Sequence, residues 1–168
     1  MKVLQVVGYK NSGKTTLTKE IITYYSKKGW KVGTIKNHGH GGIPIGLHDT
    51  DSEQHRRAGS KIAGVIGENI LQLSQEEWEV ETIISIYELL GIELLVLEGF
   101  KRLEYPKLIL IKDRKEIQLL TSLSNIIALI SKTEKELVGL QLPVFDNKDI
   151  EQICNCISMH ILKENDDE

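Results

Sequence analysis

Short, nearly continuous apolar runs alternate along the chain with stretches in which apolar residues recur every three or four positions. Val3-Leu4-Gln5-Val6-Val7 is the first run, of the kind buried on both faces of a parallel sheet. Lys14 to Lys28 follows with Leu17, Ile21, Tyr24 and Tyr25 on one helical stripe, and Gly29 stands where a C-terminal cap belongs. Lys31 to Ile35 reads as a second strand. Gly39, Gly41, Gly42, Pro44 and Gly46 then put too many breakers in one stretch for regular structure.

Asp51 to Arg57 has the length of a short helix. Ala63–Ile66 and Ile70–Leu73 read as a strand pair joined through Gly67-Glu68-Asn69. Ser74 with Glu77 forms a capping box ahead of a helix that carries Val80, Ile83, Ile84 and Tyr87 and ends at Gly91. Leu94–Leu97, Leu108–Ile111 and Ile126–Ile130 are further buried-type strands. A last helix from about Lys148 carries Ile150, Ile153, Cys154, Ile157 and Ile161 on one stripe, with Cys156 off that face. This alternation predicts an α/β fold, a mostly parallel sheet with helices on both faces. The 63–73 hairpin is expected to add a small antiparallel edge.

A chain of 168 residues fits one domain over 1–168, with 164–168 as an acidic tail. Apolar residues make up 40% and charged residues 27%, a globular composition. The longest apolar runs are far too short to span a bilayer, and polar residues interrupt the N-terminus, so a cytoplasmic protein is expected. Cys154 and Cys156 sit too close together to staple a scaffold. The net charge of −3 hides an asymmetry: residues 1–61 hold 11 Lys/Arg against 4 Asp/Glu, and residues 62–168 hold 10 against 20. A basic first third points to an anionic ligand there. With aromatics at 5% and no aromatic-basic interleaving, nucleic acid is not the expected partner.

Gly8-Tyr9-Lys10-Asn11-Ser12-Gly13-Lys14-Thr15 supplies the anion site. It is a full match to the phosphate-binding loop, with a strand before it and an amphipathic helix after it. Gly8 and Gly13 permit backbone angles and approaches that a Cβ would block. Successive N–H groups, including those of Asn11 and Ser12, then surround a phosphate at the positive end of the helix dipole. Lys14 adds a point charge between the β- and γ-phosphates, and Thr15 offers a hydroxyl to Mg²⁺. The mostly parallel sheet is thereby expected to be a P-loop NTPase fold.

Leu94-Leu95-Val96-Leu97-Glu98 is a strand ending in an acid, where such folds hold the metal's water shell or the attacking water. Glu98 stands where Asp is usual, and Gly99 lets the backbone follow the γ-phosphate. Lys36 to Ser52 gathers His38, His40, His48, Asp49 and Asp51, with His55 and Arg56 close behind. Three readings stay open there: a plain polar loop, a phosphate cover in which Asp49 or Asp51 joins the Mg²⁺ shell or orients water and Arg56 meets an anion, and a histidine metal site whose spacing fits no closed zinc pattern. After the strand 126–130, Ser131-Lys132-Thr133-Glu134 occupies the place of the guanine-reading loop. Glu134 would accept from the guanine N1–H and amine while Lys132 covers the base, although an ordinary polar loop reads the same way. Asn147-Lys148-Asp149 reads as a helix cap.

Four segments together resemble the molybdopterin-guanine dinucleotide biosynthesis adapter (MobB) family. They are Gly8 to Leu17 with its Thr15-Thr16 pair, Lys36-x-His38-x-His40, Asp51-Ser52 with Arg56-Arg57-Ala58-Gly59, and Leu97-Glu98-Gly99-Phe100-Lys101. The resemblance covers most of residues 1–101, while the remainder agrees only in rhythm. Gly39, Gly41 and Gly42 depart from a stretch that many relatives fill with His and Asp. The resemblance implies a GTP-binding, weakly hydrolysing, dimeric protein that assists the enzyme joining GMP to molybdopterin. Its partners would be GTP with Mg²⁺, a molybdopterin guanylyltransferase, and a molybdopterin-type ligand. Lys14, Glu98 and Asp51 would be the catalytic residues, with Gly8, Asn11, Ser12, Gly13, Thr15, Thr16, Lys132 and Glu134 binding nucleotide. A P-loop small-molecule kinase, or a metallochaperone GTPase using His38, His40 and His48, are the alternatives the residues allow.

Overall fold

The computed structural model describes residues 1–38, 50–132 and 141–162. They divide into two compact units, Met1–Asn37 with Tyr87–Glu168, and His38–Ile86.

The first unit is built on a six-stranded parallel sheet. Its strands are β1 (Lys2–Gly8), β2 (Val32–Lys36), β5 (Leu94–Glu98), β6 (Lys107–Leu110), β7 (Ile126–Ser131) and β8 (Val144–Asp146), in the spatial order β2-β5-β1-β6-β7-β8. Alternate residues of each strand face opposite layers. Leu4, Val6, Leu94, Val96, Leu108, Leu110, Ala128 and Ile130 share one core with Leu17, Ile21 and Tyr25 of helix α1 (Lys14–Lys27) and with Ile153 and Ile157 of helix α4 (Ile150–Ile157). Val7, Ile109, Ile111 and Leu129 face the other way, toward Leu119 of the 3-10 helix Arg114–Ser122. Tyr25 ties the first layer together, because its buried hydroxyl donates to the Cys154 carbonyl oxygen at 2.8 Å. Helix α4 therefore buries a broad face, including both thiols. Cys156, expected off that face, is buried with its Sγ 3.9 Å from the Ile127 carbonyl oxygen, because α4 packs against β7 as well as α1.

Two buried polar side chains fix the link that follows β5. Gln5 Nε2 donates to the Phe100 carbonyl oxygen. The Lys107 ammonium donates to the carbonyls of Leu103 (2.9 Å) and Tyr105 (3.0 Å). The Phe100, Leu103 and Tyr105 carbonyls of the β5-to-β6 connection are thus satisfied without a helix, and burial pushes the Lys107 ammonium below the usual lysine range.

The second unit holds helix α2 (Asp51–Arg57), the antiparallel pair β3 (Ala63–Gly67) and β4 (Ile70–Ser74), and the first part of helix α3 (Val80–Leu89). The hairpin forms as the sequence predicts, but as a two-stranded sheet of its own rather than as an edge of the parallel sheet. Its strands bond only to each other and leave Val65, Ile66, Ile70, Leu71 and Leu73 exposed. The capping box at Ser74 and Glu77 does not form. Ser74 is still paired with Ala63 in β4, Glu77 has φ +57°, and the helix starts at Val80. β8, the three-residue edge strand of the parallel sheet, is too short to show a periodicity in the sequence.

Candidate functional site

β1 ends in the centre of the sheet with β5 and β6 on either side, so the loop after Gly8 opens at the carboxyl edge of the strands, where α/β sheets bind ligands. A Cβ at Gly8 would lie 2.7 Å from Ser12 Oγ and 2.9 Å from the Leu110 carbonyl oxygen, so only glycine lets the loop turn this tightly. Gly13 sits at the N-cap of α1 with φ +98°, makes no side-chain cap, and is followed by a first turn without an acidic residue. The α1 amides and the helix dipole therefore face an anion unneutralised. Asn11 holds φ +57° in the same loop, and the buried Ser12 hydroxyl has no hydrogen-bond partner among the described residues.

Four lysines gather around this loop. Lys14 Nζ donates to the Tyr9 carbonyl oxygen at 2.6 Å. Lys112 Nζ donates to the Lys10 carbonyl oxygen at 3.0 Å, and the Lys101 ammonium stands 4.6 Å from the Tyr9 ring centroid. Burial pushes the Lys14 ammonium below its ordinary range. Glu98 opposes this, while Lys101, Lys36 and Lys112 add to it. So much positive charge around backbone amides suits a polyanion.

Glu98 closes β5 with its side chain 6% exposed. The Thr15 hydroxyl donates to Glu98 Oε1 at 2.8 Å, and Lys36 Nζ lies 3.1 Å from that oxygen and 3.0 Å from Thr15 Oγ1. The two residues expected to hold Mg²⁺ are thus brought together around a cation. Two hard oxygens, one of them charged, suit a small divalent ion that keeps several waters. The Gly99 N–H donates to the Val6 carbonyl oxygen at 3.0 Å, which anchors the chain beyond Glu98.

Thr16 is exposed on the first turn of α1, and Lys132 is exposed one residue beyond β7. Glu134, His40, His48, Asp49 and the tail 164–168 lie outside the described residues, as do Gly39, Gly41 and Gly42. Among the described residues no three His, Cys, Asp or Glu side chains gather as a metal site. Asp149 caps α4 by accepting from the Gln152 N–H at 3.2 Å, as the sequence predicts.

Asp51 opens α2 in the second unit, behind the N-cap Thr50. Arg56, expected to meet an anion, is committed instead to carboxylates. Its Nε and Nη2 donate to Glu53 at 2.8 and 2.6 Å, and its Nη1 donates to Glu76. The sequence reading does not single out Lys112, and it quotes Lys36 and Tyr9 within motifs without giving either side chain a role. Lys36 and Glu98 are register partners on neighbouring strands, a signal usable only once the strand order is known.

A family model for molybdopterin guanine dinucleotide synthesis protein B, MobB, matches residues 3–132. The chain belongs to the MobB family. The probable molybdopterin-guanine dinucleotide biosynthesis adapter protein of Bacillus subtilis is 36% identical over 150 residues, 88% of this chain and 86% of the relative. The crystal structure of Bacillus subtilis MobB matches with a TM-score of 0.77 at 31% identity, over 93% of this chain and 98% of that one. The MobB homolog from Bacillus stearothermophilus gives 0.72 at 31% identity, over 94% and 98%. The phosphate loop, Lys36 and the Glu98-Gly99-Phe100-Lys101 segment all lie within the MobB-matched residues. Among the described residues no helix is long and apolar enough to cross a membrane.

Proposed function

We propose that this chain is an adapter in molybdopterin-guanine dinucleotide synthesis that binds GTP with Mg²⁺, hydrolyses it slowly, and serves the guanylyltransferase that joins GMP to molybdopterin. The observation that carries this reading is the α1 N-terminus, uncapped and ringed by Lys14, Lys36, Lys101 and Lys112, with Thr15 and Glu98 paired at its mouth. In that arrangement the loop amides and Lys14 hold the β- and γ-phosphates and meet the charge that develops on them. Thr15 would hold Mg²⁺ directly and Glu98 would hold it through water; the ion neutralises phosphate charge when bound. Glu98 orients the attacking water. Arg56, the arginine the sequence offered for an anion, is occupied by Glu53 and Glu76, which supports slow turnover without a partner.

Glu134 and Lys132 are the proposed readers of guanine. A carboxylate that accepts two hydrogen bonds from guanine is left facing an acceptor with adenine. An unpaired buried acceptor costs about 1–3 kcal/mol, so GTP should bind at least about tenfold more tightly than ATP. Competition calorimetry with GTP and ATP in the presence of Mg²⁺ tests this. Equal affinities would overturn the guanine assignment and favour a small-molecule kinase, and absence of any triphosphate binding would overturn the site itself. A second copy of the chain is the proposed oligomeric partner, supported by the exposed apolar side chains of the β3–β4 hairpin.

A further inference from the structure

We infer that Lys36 is the resident counter-ion of the cation site, holding the place between Thr15 and Glu98 and yielding it when a divalent ion arrives with the triphosphate. The inference rests on the phosphate-site reading above and assigns its metal linkage to a residue outside the phosphate loop. Lys36 is the last residue of β2 and Glu98 the last of β5, and the two strands pair them in register. The Lys36 ammonium lies 3.0 Å from Thr15 Oγ1 and 3.1 Å from Glu98 Oε1. The Thr15 proton is already given to Glu98, so Thr15 Oγ1 accepts from Lys36 with the electron pair a metal would take. A divalent ion bound to the same two oxygens would stand a few ångströms from the Lys36 ammonium, and the like charges would repel.

Exposure decides which of them moves. The Glu98 side chain is 6% exposed and fixed at a strand end, whereas Lys36 is 58% exposed on a flexible stem. A buried carboxylate needs a counter-charge, and Lys36 provides one that can leave. Lys14, Lys101 and Lys112 already crowd the loop, so a divalent ion added beside them is opposed by like charge unless negative charge arrives with it. The triphosphate brings that charge. Lys36 thereby makes metal entry conditional on the nucleotide.

The test is calorimetric titration of GTP across a series of Mg²⁺ concentrations, for wild type, Lys36→Met, Glu98→Gln and the double variant. Electron paramagnetic resonance of Mn²⁺ added to nucleotide-free protein gives a second readout. Lys36→Met should lower the Mg²⁺ midpoint by about tenfold, the order expected from removing one partly screened like charge a few ångströms away. It should tighten Mn²⁺ binding without nucleotide and weaken GTP binding without Mg²⁺. In the Glu98→Gln background the shift should fall within about twofold, as for removal of one member of a coupled pair. Lys36→Gln, measured alongside thermal midpoints, guards against a folding defect peculiar to Met. GTP binding with an unchanged Mg²⁺ midpoint in both Lys36 variants would overturn the inference alone. No GTP binding by wild type at any Mg²⁺ concentration would overturn the site reading and the inference with it.

Discussion

The Lys14 ammonium rests on the Tyr9 carbonyl, a neutral acceptor that, on the proposed reading, it would exchange for phosphate oxygens. Charge-assisted contacts of that kind are worth about 1.5–3 kcal/mol. Lys14→Ala should therefore weaken GTP binding by roughly ten- to a hundredfold. The thermal midpoint should hold or rise, since the variant removes a partly buried charge that like charges already disfavour. Unchanged affinity by calorimetry would remove Lys14 from the site. Lys14, Thr15 and Gly8 are legible in the sequence because their chemistry is local: eight consecutive residues with a strand before and a helix after. Lys36 is 62 residues from Glu98 along the chain, and no spacing rule brings them together. Their meeting depends on β2 lying beside β5, which hydrophobic alternation leaves open.

At the scale of elements, α2 shows how charge holds a short helix. Glu53 is buried, and hydrogen bonds from Arg56, with Arg57 assisting, hold its carboxyl down to about 2 from an ordinary 4.5. A carboxyl depressed in the folded state stabilises fully above its unfolded value and loses that contribution as pH falls through the folded one. Denaturant midpoints should therefore drop between about pH 4.5 and 2 in wild type. Glu53→Gln should be less stable at neutral pH and show a flatter profile across that window. Equal slopes in the two proteins would refute the assignment. β1, α1, β5 and β7 are legible because they are long or largely buried, and the short α2 and the exposed β3–β4 pair because local signals, Asp51 to Arg57 and the Gly67-Glu68-Asn69 turn, mark them. Ser74 and Glu77 misled because a capping pattern is only a local preference, and the β4 ladder claims Ser74 first.

Across the whole molecule, the parallel sheet follows from the alternation of buried runs and amphipathic stretches, whereas the place of the 63–73 hairpin does not. Its residues alternate too weakly to name an inward face, and both faces of the ribbon carry apolar side chains. Ile66 and Ile70 are each 72% exposed. If a second copy covers the face that carries Ile66 and its register partner Leu71, Ile66→Lys with Leu71→Lys should shift sedimentation from dimer to monomer while leaving the circular dichroism spectrum and GTP affinity in place. A wild-type protein that sediments as a monomer, or a variant that stays dimeric, would move the interface elsewhere.

The return of the chain at Tyr87 has a consequence for how the molecule is assembled. Its hydroxyl donates to the Thr34 carbonyl oxygen on β2 at 2.9 Å, so the excursion over 38–86 comes back to the strand it departed from before β5 begins. Lys31 and Glu93, bonded across the start of the β2–β5 ladder, stand 62 residues apart. The entropy of closing such a loop grows only with the logarithm of its length, about 0.6 kcal/mol for each doubling. At equilibrium the sheet is nearly indifferent to how long the excursion is. Kinetically such separations slow the search, and β1, whose partners on β5 lie 92 residues away (Lys2 with Leu94), meets its neighbour across a longer stretch than β2, whose partners lie 62 away (Val32 with Leu94).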